Sequence, residues 1–171
     1  PEGMGGVALV IDPVTRVVRN VYAGDTHGQL WRFDVLASTD GSEVVVGYGS
    51  TPLFTATDRD EAGAPQSITA APIVARHPDE GQVVVFNTGQ LLYDTDKTST
   101  QVQTVYGIRD RQRMGLDTRE LTAPSITRQQ LAKQTILQRV NVTQNNGEAK
   151  TFFDLSAEPI DWSQQQGWRL D

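Results

Sequence analysis

Alternating apolar and polar residues near the start of the chain predict a β-hairpin. Arg16 to Ala23 forms its first strand, Gly24 to Gly28 its turn, and Gln29 to Val35 its second strand. Asp and Gly favour such a turn, because an Asp side chain bonds nearby backbone and Gly accepts a positive φ. Alternation gives the second strand two faces, which favours a sheet packed between neighbouring sheets. One face holds Leu30, Arg32 and Asp34, and the other holds Trp31, Phe33 and Val35.

The rest of the chain is a series of short apolar segments separated by turn residues. Leu36 to Glu43 is predicted as a polar loop, and Ser125 to Lys133 as one short helix with Ser125 or Thr127 as its N-cap. About ten short strands with regular turns predict an all-β protein. The further strands are predicted at Val7 to Ile11, Val44 to Val46, Leu53 to Thr57, Ile68 to Arg76, Gln82 to Asn87, Gln101 to Arg109, Ile136 to Thr143, Ala149 to Leu155 and Trp168 to Leu170.

A short internal echo supports a propeller. The segment from Gly28 to Asp34 is repeated in part from Gly89 to Asp94. Propeller blades take about 40 to 50 residues, and closed propellers need about four or more blades. The chain has room for about three to four blades at that size. We therefore expect residues 1–171 to be a fragment of a single β-propeller domain, cut at both ends.

The hairpin also resembles a known family. Tyr22-Ala23-Gly24-Asp25, with Gly28 and the run from Leu30 to Asp34, is similar to the blade motif of the type IV pilus tip adhesins, the PilC/PilY-type biogenesis factors. Further segments agree in order, so the resemblance runs from about residue 7 to the last residue. They are Leu53 to Ala56 with Ile68 to Pro72, Phe86 to Gln90 with Val105 to Asp110, and Asp161-Trp162 with Gly167 to Asp171.

The resemblance implies both a fold and a role. The implied fold is part of the family's C-terminal domain, a partial, modified, quinoprotein-like β-propeller of antiparallel blades. The implied role is that of a non-enzymatic structural and binding domain that supports pilus biogenesis and attachment outside the bacterial cell, at the pilus tip or outer membrane. Minor pilins and host or environmental surfaces are the implied partners. A quinone-dependent dehydrogenase-type propeller and a plain interaction scaffold are the alternatives.

Composition narrows the functional classes. The net charge of −6 argues against nucleic-acid binding through phosphate contacts. No apolar run approaches the roughly 18 residues of a membrane span. The chain has no cysteine, which excludes disulfides and thiolate zinc sites. No catalytic motif is present, so we predict no catalytic residue.

Candidate metal ligands are confined to a few loop carboxylates. Calcium-binding members of the family carry an EF-hand-like loop just before the hairpin, and here that place reads Asp12 to Val17. Only Asp12 could be a ligand there, and Arg16 would repel the ion, so we expect no calcium and no cofactor. Asp58, Asp60, Asp94 and Asp96 are further candidates, but Arg59 and Lys97 interleave them and favour solvated loop charges. Trp162, in a polar loop, is the candidate contact residue.

Bare strand edges predict self-association. Edges that lack a neighbouring strand pair readily with other chains. We expect such edges at Gly6 to Ile11, which is apolar and uncharged, and at Trp168 to Leu170, which reads as an unfinished strand. The isolated chain is therefore expected to associate with itself.

Overall fold

The computed structural model describes residues 3–171, and its strands form two five-stranded β-sheets and a separate two-stranded hairpin. The first sheet has the order β1-β2-β3-β4, and β5 also pairs with β3; every pairing in it is antiparallel. The all-β class predicted from the sequence is confirmed. The strands of this sheet are β1 (Met4–Ile11), β2 (Val18–Asp25), β3 (Gln29–Ser38), β4 (Gly41–Val46) and β5 (Phe54–Thr55).

The remaining strands form the second sheet and the hairpin. The second sheet has the order β6-β7-β8-β12-β9, in which only β9 and β12 run parallel, and β10 pairs with β11. The described strands leave both sheets open rather than closed into a ring. Their bounds are β6 (Ile73–Arg76), β7 (Gln82–Asn87), β8 (Val105–Asp110), β9 (Ala132–Gln134), β10 (Ile136–Thr143), β11 (Ala149–Leu155) and β12 (Gly167–Leu170).

Helical structure in the described residues is limited to short 3₁₀ segments, at Tyr48–Ser50, Asp94–Thr98 and Arg128–Gln130. The last of these replaces the helix predicted over Ser125 to Lys133. Thr127 stands at its N-cap position, as the sequence suggested. The segment does not continue as a helix because Ala132 already starts β9 and pairs with Trp168.

One prediction about a loop is corrected. Leu36 to Glu43 is not a loop: β3 and β4 continue through it, and Leu36 pairs with Glu43. Polar residues at the exposed end of a hairpin still satisfy the backbone ladder, so their polarity did not indicate a loop. The echo from Gly89 to Asp94 lies in the connection between β7 and β8.

The predicted edge strands are half right. Among the described strands β1 pairs only with β2, but the edge predicted to be bare from Gly6 to Ile11 is covered at its start, because the Gly6 N–H donates to the Thr69 carbonyl at 3.0 Å. β12 is not an edge, because β8 and β9 flank it. The prediction of a bare edge at Trp168 to Leu170 is therefore wrong. The strand predicted from Ile68 to Arg76 is shorter than expected: β6 starts only at Ile73, directly after Pro72, and it is an edge strand, the position in a sheet where proline is tolerated.

The hydrophobic core lies between the two sheets. Phe54 of the first sheet packs against Tyr106 of the second at a ring separation of 5.1 Å, and Tyr106 stacks on Phe86 at 5.3 Å. The core therefore couples the sheets through aromatic contacts. Its other buried members include Tyr22, Leu30, Leu53, Ile68, Val84 and Ile108.

Candidate functional site

Asp110, at the end of β8, is the centre of a buried polar cluster that joins the two sheets. Its Oδ2 accepts hydrogen bonds from the Tyr22 hydroxyl at 2.6 Å and from Arg32 Nη1 at 2.8 Å. Its Oδ1 accepts the Tyr48 hydroxyl at 2.6 Å. All four side chains are buried. One carboxylate of the second sheet thus satisfies three donors that the first sheet and its following segment present.

Arg32 extends this cluster along β3. Its Nε donates to Asp34 Oδ1 at 2.7 Å, and Asp34 Oδ2 also accepts the backbone N–H of Thr118 at 2.7 Å. Asn20 donates to Asp34 Oδ1 at 2.8 Å. The face of β3 that alternates Leu30, Arg32 and Asp34 is therefore fully buried. The charged groups on this face, Arg32 and Asp34, are bound by residues that are distant in the sequence.

Burial and the Asp110 charge set the protonation of the cluster. Burial, followed by the negative charge of Asp110, raises the pKa of Tyr22 well above its ordinary value. The same two causes raise the pKa of Tyr48. Burial lowers the pKa of Arg32, but the charge of Asp110, the neighbouring Tyr22 and the hydrogen bond to Asp34 together outweigh it, and the pKa is raised. Both phenols therefore stay protonated donors, and Arg32 stays a cation.

A second cluster pairs two arginines with two carboxylates. Arg128 Nε lies 3.1 Å from Asp60 Oδ1, and Arg169 Nη2 lies 3.0 Å from the same oxygen. Both arginines also bind Asp171. Burial raises the pKa of Asp171, but its hydrogen bond to Arg128 and the charges of Arg128 and Arg169 outweigh this and lower it. Asp60, a predicted metal ligand, is thus an ion-pair acceptor that ties its loop to β12.

The other predicted metal ligands bind donors of their own loops. Among residues 3–171, no group of three or more His, Cys, Asp or Glu side chains is arranged to hold a metal ion. The sequence had placed these carboxylates in separate loops, and the structure leaves them apart. The donors are the backbone N–H groups of Val14 and Thr15 for Asp12, the backbone N–H of Ala64 for Asp58, Lys97 for Asp94, and the backbone N–H groups of Leu92 and Tyr93 for Asp96.

Trp162 is half-buried and packs against the second sheet. Its ring meets the His77 ring edge-on at a centroid distance of 4.8 Å, and the Arg109 guanidinium lies 5.7 Å from its centre. Arg111 donates to the Trp162 carbonyl at 2.8 Å. Burial, followed by the charge of Arg109, lowers the pKa of His77. Trp162 thus covers a buried histidine, and its role as a contact for another molecule stays a prediction.

The connection between β7 and β8, which we call the 88–104 loop, presents apolar side chains to solvent. Leu91, Leu92 and Tyr93 are 71%, 57% and 69% exposed. Asp96 holds the backbone beneath them: its Oδ2 accepts the N–H groups of Leu92 and Tyr93 at 2.8 and 2.9 Å. Its Oδ1 accepts Gln90 Nε2 at 3.0 Å. The loop is therefore an ordered apolar projection, which the sequence reading had missed.

The sequence contains a signal for this loop that the internal echo from Gly89 to Asp94 does not reveal. Asp96 follows Tyr93 by three positions, the spacing at which a carboxylate caps the start of a helical turn. Asp94 and Lys97 add the charges of a short helical segment, and they pair at 2.8 Å. A capped turn that follows Leu91 and Leu92 indicates a loop in which both side chains face solvent, because such a turn does not pack them against a strand.

A cleft of about 730 Å³ opens between β1 and β6. Leu9 and Val74 form part of its apolar wall, and Arg76, Glu80 and Arg113 lie around it. Its volume is in the range of small-molecule sites, roughly 300–1,000 Å³. Both acidic and basic side chains line the cleft, so its charge favours neither anionic nor cationic ligands.

Among residues 3–171, no helix is long and apolar enough to span a bilayer.

Comparison with known proteins identifies related chains. A family model described as the PilY1 beta-propeller domain matches residues 1–148. The type IV pilus biogenesis factor PilY1 of Pseudomonas aeruginosa is 34% identical over 195 residues, which covers 100% of the chain and 16% of that protein. A PilY1 homolog of Xylella fastidiosa is 33% identical over 114 residues, covering 64% of the chain and 8% of that protein. The chain thus spans about a sixth or less of these curated relatives.

The same relationship holds in three dimensions. The crystal structure of the Pseudomonas aeruginosa PilY1 C-terminal domain matches with a TM-score of 0.85 and 33% sequence identity. The match covers 98% of the chain and 38% of that structure.

Proposed function

Because the chain belongs to the PilY1 β-propeller family, we propose that it is a non-enzymatic structural and binding domain of a type IV pilus tip adhesin. In this proposal it supports pilus biogenesis and surface attachment from outside the bacterial cell, at the pilus tip or outer membrane. Its partners are the minor pilins and the surface to which the cell attaches. It binds them without a cofactor.

The 88–104 loop carries the binding part of this proposal. Leu91, Leu92 and Tyr93 stand in solvent on a backbone that Asp96 has already ordered. A partner that covers them gains apolar burial and does not have to order the loop first. Aromatic anchors such as Tyr93 often dominate binding energy at protein interfaces.

The buried charges support the structural part. Asp110 and Arg32 are enclosed and bound to each other, so they are not open to a substrate. Both clusters of charged residues tie separate parts of the fold together. This is the behaviour expected of a scaffold whose loops, rather than its interior, make the contacts.

Capture of the chain by immobilised minor pilins tests the proposal. We expect Leu92→Ser with Tyr93→Ser to weaken capture about tenfold or more, because exposed apolar anchors at an interface are worth that much. Val44→Ser is the matched control, since Val44 is an equally exposed apolar residue on β4. Capture that is absent, or that is equally strong in all three proteins, contradicts binding through this loop.

A separate measurement addresses the enzymatic alternative. The chain is titrated with pyrroloquinoline quinone and the absorbance of the quinone is followed. We expect no saturable shift. A saturable shift at stoichiometric amounts contradicts the non-enzymatic part of the proposal and favours a quinone-dependent propeller.

A further inference from the structure

The hairpin of β10 and β11 stands apart from the rest of the molecule. Every residue of both strands is exposed. Two hydrogen bonds close its base: the backbone N–H of Ser156 donates to the Thr135 carbonyl at 2.8 Å, and Ser156 Oγ accepts the Thr135 N–H at 2.9 Å. Ser156 Oγ also donates to Oε1 of Gln134, in β9 of the second sheet, at 2.7 Å. The hairpin is thus anchored at one end and free along its length.

This exposure leaves a large apolar surface without cover. Phe152 and Phe153 are 53% and 56% exposed, and Leu137 is also exposed. Isolated two-stranded hairpins are at best marginally stable in water, and a third strand or a packed face stabilises them. The hairpin follows β9, the outer strand of the second sheet, whereas the first sheet contacts the opposite edge at β6. Within residues 3–171, the first sheet therefore does not cover it.

The outer edge of β11 is complementary to itself. Lys150, Phe152 and Asp154 alternate along the strand and share one face. In an antiparallel pair of two β11 strands centred on Phe152, each Lys150 lies opposite the partner's Asp154. Opposite charges at directly facing positions stabilise a strand pair. Such a pairing has twofold symmetry, the commonest arrangement of protein dimers.

The same charges have no partner in their own hairpin. Lys150 faces Val142 across the ladder, and Asp154 faces Gln138. Neither Lys150 nor Asp154 takes part in an ion pair among residues 3–171. Their spacing on either side of Phe152 is therefore unexplained within one copy and is matched by a second copy.

We propose that two copies of the chain associate through β11, forming a four-stranded sheet with the order β10-β11-β11-β10. Phe152 lies on the twofold axis against the partner's Phe152. Val140, which faces Phe152 within each hairpin, extends this contact into an apolar stripe across all four strands. The new ladder also satisfies backbone groups that β11 exposes at its free edge.

The register selects β11 over the other free edges. β10 carries a single charge, Arg139, so no charge pair favours its self-pairing. β1 is apolar but uncharged, and its Gly6 lies against Ala71 of the segment before β6. Among the strands of residues 3–171, only β11 combines an exposed aromatic centre with opposite charges at equal distances on both sides.

Sedimentation of the whole 171-residue chain, from micromolar to about millimolar concentration, tests the proposal in the range where small interfaces associate. We expect a monomer–dimer equilibrium. Lys150→Asp alone and Asp154→Lys alone should each raise the dissociation constant about tenfold, because each replaces two attractive pairs by two repulsive ones. Mixing the two variants should restore association, because every facing pair in the mixed dimer is again attractive.

Arg139→Asp is the matched control, since it changes the charge as Lys150→Asp does but lies on β10, away from the seam. It should leave the dissociation constant unchanged. Thermal midpoints of all variants verify that each still folds. A wild-type chain that stays monomeric throughout, an association that both single variants leave unaltered, or a mixture that dissociates like its components overturns the proposal.

Discussion

At the scale of single residues, Gly28 is held by both its conformation and its neighbours. Its φ is +77°, and an added Cβ would lie 2.7 Å from the Gln66 carbonyl oxygen and 2.9 Å from that of Ala56. We expect Gly28→Val to lower the free energy of unfolding by on the order of 1–3 kcal/mol from strain, with a further loss because two backbone segments must move. Urea unfolding measures this.

Gly147 provides the matched comparison for this prediction. Its φ is +83°, but nothing lies within 4 Å of an added Cβ. Gly147→Val therefore introduces the conformational strain without the steric clash. It should lower the free energy of unfolding by less than Gly28→Val does. Equal unfolding midpoints for Gly28→Val and the wild type would show that the hairpin turn is described wrongly.

At the scale of elements, the connection between β1 and β2 is the place where the sequence resemblance implied a calcium loop, with Asp12 as its one candidate ligand. The backbone N–H groups of Thr15 and Val14 already bind Asp12 and lower its pKa. Arg19 approaches the same carboxylate at 3.8 Å. We therefore expect calcium at about millimolar concentration, the weak end of such sites, to leave the melting temperature unchanged.

Magnesium at the same ionic strength controls for screening in that experiment. A rise of several degrees that calcium alone produces, and that Asp12→Ala abolishes, would establish a calcium site in this connection.

At the scale of the whole molecule, the two sheets depend on each other through Asp110. Removing one member of a buried ion pair leaves the other charge uncompensated, at a cost of about 3–5 kcal/mol. Asp110→Asn keeps the shape of the side chain and removes its charge, so Arg32 retains only Asp34 as an ionic partner. We expect this variant to lower the urea midpoint strongly, measured by tryptophan fluorescence and circular dichroism.

Asp60→Asn is the matched substitution in the second cluster. Asp60 is 43% exposed, so solvent screens its pairs with Arg128 and Arg169. Exposed pairs contribute up to about 1 kcal/mol, and the loss should be correspondingly smaller. If Asp60→Asn and Asp110→Asn lowered the free energy of unfolding equally, the view that Asp110 joins the two sheets would be contradicted.

The sequence by itself determined the elements whose signals are local. The bounds predicted for Gln82 to Asn87, Ile136 to Thr143 and Ala149 to Leu155 agree with β7, β10 and β11. β-branched residues and an Asn-Gly turn act within a few positions, so no distant partner was needed to read them. The residues of the first hairpin also carried the family resemblance, which the comparisons confirm.

Only the tertiary structure decided which edges and charges find partners. Arg32 and Asp110 are 78 positions apart, and nothing near either residue indicates that the other will neutralise it. The sequence predicts a bare edge at Trp168 to Leu170 because the segment resembles an unfinished strand, whereas β9, which pairs with it, lies in a segment with helical signals. Burial of a charge and pairing of a strand both depend on groups that the fold brings from elsewhere, so local pattern reveals the need for a partner but not its identity.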